Sequence, residues 1–79
     1  MATEDVLDVI DEFVGKAKAA TDKDQIGKTV SDALATFQKG GVPKNDAIHM
    51  VQTAINDERC PDANLDEAWN ELEMRKNEP

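Results

Sequence analysis

Aromatic side chains are scarce in this chain: Phe13, Phe37 and Trp69 are the full set, and there is no tyrosine. That leaves little material for stacking bases or sugar rings. Cys60 is the single cysteine, so no disulfide can close within the chain, and a reducing, cytoplasmic setting is expected. No stretch approaches the roughly 18 consecutive apolar residues that a membrane-spanning helix needs, so no membrane partner is expected. The first residues are rich in acids and build no continuous apolar run, so no signal peptide is expected either.

Nucleophiles and bases are equally sparse. Ser31 is the only serine, His49 the only histidine, and the two are not neighbours in the chain. There is no glycine-rich phosphate loop, and the many carboxylates fall on polar faces, where nothing activates them. A chain of 79 residues also has little bulk from which to build a deep pocket. No catalytic residue is assigned, and the protein is expected not to be an enzyme.

Positive charge is the minority sign, with nine Lys and Arg against 17 Asp and Glu, for a net charge of −8. The layout is uneven. Residues 1–12 and residues 57–79 are both strongly acidic, whereas 13–56 carries six lysines against four acids. An acidic excess keeps a small protein soluble and disfavours a polyphosphate ligand. Two acidic flanks around a mildly basic middle can also orient a partner as it approaches.

What the sequence does have is helical periodicity. At 100° per residue Val6, Leu7, Val9, Ile10, Phe13, Val14 and Ala17 fall within an arc of roughly 160°, opposite Glu4, Asp5, Asp8, Asp11 and Glu12. So wide a face predicts packing against two neighbours, or against one neighbour and a second chain. Thr3 suits an N-cap, and Gly15 marks a candidate bend or early end. Asp22 with Gln25 resembles a capping box, after which Ile26, Val30, Ala33, Leu34 and Phe37 share one face. Gly27, at the edge of that face, is a place for another helix to approach closely.

Gly40 and Gly41 end this second helix, and Pro43 suits the first turn of a third. There Ala47, Ile48, Met50, Val51, Ala54 and Ile55 face inward. Asn64 with Glu67 makes a second box-like pair, opening a helix with Leu65, Ala68, Trp69 and Leu72 in a narrower stripe. No strand-like alternation and no internal repeat is present. The prediction is an all-α, compact four-helix single domain with short connecting turns, its helices spanning about 4–20, 23–39, 43–57 and 65–76.

Metal chemistry fails on spacing. Asp62, Asn64, Asp66, Asn70 and Glu73 match oxygen-ligand positions of a calcium loop, but Glu67 stands where the sharp turn needs glycine. His49 and Cys60 are two soft ligands where structural zinc takes about four. No metal and no cofactor is assigned.

One helical face differs in kind from the rest of the surface. Asn45, His49, Gln52, Thr53 and Asn56 point outward on the third helix and carry no formal charge while the histidine is neutral. Desolvating amides and hydroxyls costs less than desolvating carboxylates, and interface centres are depleted in charge. The expected function is therefore a small acidic protein-interaction module (a regulator, adaptor or inhibitor) for a macromolecular partner with a basic surface. Lys44, Asn45, His49, Gln52, Thr53 and Asn56 are its candidate contact residues, and Asp8, Asp11 and Glu12 its candidate steering charges.

Two alternatives use the same features. A helix-turn-helix-like corner at residues 26–56 would present Lys39, Lys44, Asn45, His49 and Gln52 to nucleic acid. The wide first-helix face would alternatively complete a homo-oligomer. The Val42–Pro43 start with Ala47 four residues after the proline occurs in many unrelated helical domains, so no family is assigned from it.

Overall fold

The computed structural model describes residues 3–57 and 62–77. They form four helices: α1 (Thr3–Ala19), α2 (Lys23–Lys39), α3 (Lys44–Asp57) and α4 (Ala63–Lys76). The protein is an all-α four-helix domain, as the periodicity predicts. Its Cα atoms extend 30 × 29 × 18 Å, and the short dimension accommodates two helical layers about 10 Å apart. Each helix therefore keeps one flank in water.

α2 is the hub. It packs against all three other helices, whereas α1 and α3 touch each other least. Val30 and Phe37 of α2, Ile48 and Val51 of α3 and Leu72 of α4 are fully buried together. From α1 only Phe13 and Ala17 reach that depth, and Val6, Val9, Ile10 and Val14 lie half-buried around the edge. Gly15 does not end α1, which continues through it to Ala19.

The turn between α2 and α3 is a complete Schellman motif. The Gly41 N–H donates to the Gln38 carbonyl (3.0 Å), and the Val42 N–H donates to the Phe37 carbonyl (2.9 Å). Gly41 sits at φ +90°, a conformation that a Cβ would strain. Val42 packs on the core that contains Phe37, supplying the apolar contact that accompanies this motif. Pro43 stands one residue before α3 rather than inside it, and its carbonyl accepts the first helical bond, from Ala47 (2.9 Å).

The caps agree in part with expectation. The Asp22 side chain accepts from the Gln25 N–H (2.8 Å), while the Gln25 side chain reaches back to the Thr21 N–H (2.9 Å). At α4 the cap is Asp62, not Asn64: one Asp62 oxygen accepts from the Asn64 and Leu65 N–H groups (2.8 and 3.2 Å). The Asn64 amide is committed elsewhere, donating to the Lys18 and Ala20 carbonyls at the end of α1 (3.2 and 2.9 Å). A residue that local spacing marks as a cap is thus a tether between two helices, because carbonyls at the end of α1 accept its amide protons.

Arg75 performs the matching task at the other end of α4. It pairs with Glu71 (2.7 Å) and donates to the Ser31 hydroxyl (2.9 Å) and the Gly27 carbonyl (3.4 Å) of α2. α4 passes beside Gly27, but the approach does not require glycine, since a Cβ there would meet only the Glu71 carboxylate, at an ordinary 3.9 Å.

Candidate protein-docking groove

The α1 stripe is too wide for the core to absorb. Its centre, at Phe13 and Ala17, is buried, and a flank at Leu7, Ile10 and Val14, spaced three and four residues apart, turns toward α3. On α3 the buried centre lies at Ala47, Ile48, Val51 and Ile55, which leaves Met50 and Ala54 on the side facing α1. Because α1 and α3 meet so little, these flanks do not close on each other. They line an open groove of about 470 Å³. The cleft between α1 and α2, lined by Val9, Phe13 and Ala33 among others, holds only about 70 Å³.

The groove has an apolar floor and a polar rim. Leu7, Ile10 and Val14 supply the floor from one helix, Met50 and Ala54 from the other. Leu7, at the edge of the amphipathic face of α1, remains 55% exposed. Asp11 edges the α1 wall, and His49, Thr53 and Asp57 edge the α3 wall. The Thr53 hydroxyl donates back to the His49 carbonyl (2.8 Å), which leaves its methyl group and its oxygen as an acceptor for a partner. Among the described residues no Lys or Arg lines the groove.

The neutral face expected on α3 is divided by the structure. His49 and Thr53 join the groove rim, while Asn45 and Asn56 are exposed on the face beyond them. Lys44 is half-buried at the start of the helix. Gln52 is a correction: it is 6% exposed, and its amide donates to a Glu73 carboxylate oxygen of α4 (2.8 Å). It faces the α3–α4 seam, where an acceptor from the neighbouring helix makes burial of the amide affordable.

The three steering acids also separate. Asp11 is on the rim, and Asp8 is exposed on the same helix. Glu12 points the other way, toward the α1–α2 cleft, and pairs with Lys16 (2.8 Å). That hydrogen bond, and then the lysine charge, hold the Glu12 carboxyl below its ordinary range and raise Lys16 in return. Its charge is therefore locally balanced. Among the described residues no three His, Cys, Asp or Glu side chains gather where a metal ion would be held. Cys60 and its proposed roles lie outside the described residues, and of the calcium-loop positions Asp62 and Asn64 are occupied as described above.

Sequence periodicity marks Met50 and Ala54 as inward-facing and therefore as core. Their membership of a surface groove follows only from where α1 lies, although the excess width of the α1 stripe is its visible sign. Searches against family models, curated proteins and solved structures yield no match. Among the described residues no helix is long and apolar enough to cross a membrane.

Proposed function

We propose that this chain is a protein-interaction module, acting as a regulator, adaptor or inhibitor by docking a macromolecular partner that carries a basic surface. The open α1–α3 groove carries this reading. An apolar floor with Leu7 half in water is unfavourable to leave uncovered, and covering the exposed half of such a leucine is worth roughly 1 kcal/mol. Met50 adds an adaptable, polarisable surface of the kind that interaction sites use. Acids on both walls and a net charge of −8 favour a positively charged partner and accelerate its approach.

The helix-turn-helix corner has less to recommend it. Burial of Gln52 against Glu73 takes away one of its base-reading side chains. The discriminating experiment is recovery of partners from lysate by the tagged chain, in nuclease-treated and untreated halves. The expected result is a protein retained after nuclease treatment. Material that disappears with nuclease would transfer the function to nucleic acid.

A further inference from the structure

Three modes of covering the groove differ in what they require. Strand addition requires a free sheet edge, and the described residues contain only helices, whose backbone groups are bonded internally. Recognition of an extended proline-rich segment uses aromatic-lined grooves, and among the described residues no Phe, Trp or Tyr lines this one. A helix laid between two helices requires an apolar trough with small and flexible side chains along its floor. Ala54, Val14 and Met50 supply that.

Charge decides what kind of helix fits. Asp11 and Asp57 stand on opposite walls, with Asp8 further along α1, and among the described residues no Lys or Arg joins His49 in lining the groove. A second copy of the chain would bring its own acidic α1 against these acids, at a net charge of −8 on each partner. The same acids oppose a phosphate backbone. Resting on the reading of this chain as an interaction module, we propose that the α1–α3 groove accepts an amphipathic helix of a partner protein. That helix places apolar side chains at positions i, i+3 or i+4, and i+7 on the floor, and its flanking Lys or Arg residues reach Asp11 and Asp57.

The occupant can be identified without knowing the natural partner. A display library of random 16-residue peptides is selected on the full chain, and recovered peptides are measured on wild type, Leu7→Gln and Asp11→Lys. Both positions are exposed, so unchanged melting temperatures verify that the variants fold. The expected peptides carry apolar residues at three- and four-residue spacing with Lys or Arg between them. Their affinity falls about tenfold on Leu7→Gln and about threefold on Asp11→Lys, and weakens further with salt.

Failure to enrich any peptide overturns the proposal. So do peptides that bind all three proteins equally, or peptides that are acidic or lack helical spacing. A wild-type dimer in sedimentation that Leu7→Gln converts to monomer would assign the groove to a second copy instead. The lysate experiment separates this proposal from the reading beneath it. A nuclease-resistant partner held equally by wild type and both variants keeps the interaction module and removes the groove. Recovery of nucleic acid alone removes the module itself.

Discussion

α3 has two flanks, and they behave differently. Toward α2 and α4 it closes completely: Ile48 and Val51 are buried with Phe37 and Leu72, and even the polar Gln52 is drawn in because Glu73 accepts its amide proton. Toward α1 it stays open, with Met50 and Ala54 facing Leu7, Ile10 and Val14 across a groove. Both flanks are apolar, so hydrophobicity alone does not determine which one closes. What differs is the hub. α2 holds α3 and α4 together from one side, and Arg75 and Asn64 pin α4 to α2 and to the end of α1. α1 and α3, by contrast, touch each other least of all the helix pairs. Stability sits on the closed flank, and the surface available for binding sits on the open one.

The contrast can be broken most severely at its closed end. Phe37→Ala removes a fully buried ring from the hub and is expected to cost about 3–5 kcal/mol. That is a large share of the stability of a small domain, and urea denaturation followed by circular dichroism reads it. Leu7→Ala on the open flank should stay within about 0.5 kcal/mol by the same measurement. Equal losses at the two positions would mean that the α1 stripe is as structural as the core.

Gln52→Glu attacks the α3–α4 seam specifically. It replaces a donor to Glu73 with a second carboxylate, and a loss of about 2 kcal/mol is expected at neutral pH. Two facing carboxylates bind protons more readily in the folded state than in the unfolded one. Stability of this variant relative to wild type should therefore recover as the pH falls and the pair is protonated. Melting curves across the acid range check the sign.

The glycines sharpen the comparison by moving in opposite directions. Gly41→Ala forces a side chain into φ +90° at the turn that aims α3, and about 1 kcal/mol of stability should be lost. Gly15→Ala lies mid-helix on α1 with open space around it and should add about 0.5–1 kcal/mol. Thermal melts of both variants test this.

The smallest effect is expected at the exposed Glu12–Lys16 pair on the far side of α1. Glu12 is held low, so the pair's contribution is present at neutral pH and lost as pH falls through the folded-state value of Glu12. Lys16 is raised, so at the alkaline end the contribution is lost as pH rises through the Lys16 value. Melting profiles of wild type and Glu12→Gln should differ slightly near neutrality and converge at both extremes.

Local rules were legible residue by residue. The apolar spacing of Ile26, Val30, Leu34 and Phe37 marks the buried face of α2, and Gly40–Gly41–Val42–Pro43 marks the stop and restart that the Schellman turn executes. Helix limits were legible to within two residues at α1 to α4. Asn64 and Gln52 were misread for one shared reason. A polar side chain near a helix edge has a default local role, cap or exposed face, until another helix supplies a partner for its amide.

The sequence by itself determined four amphipathic helices, their order, their turns and an acidic surface, because each depends on side chains within a few positions of one another. Only the tertiary structure decided which two flanks were left facing each other. Leu7 and Met50 lie far apart in the chain, and nothing local distinguishes an apolar flank that will be covered from one that will not. That outcome depends on where α2 and α4 hold their neighbours, which is a property of packing among all four helices.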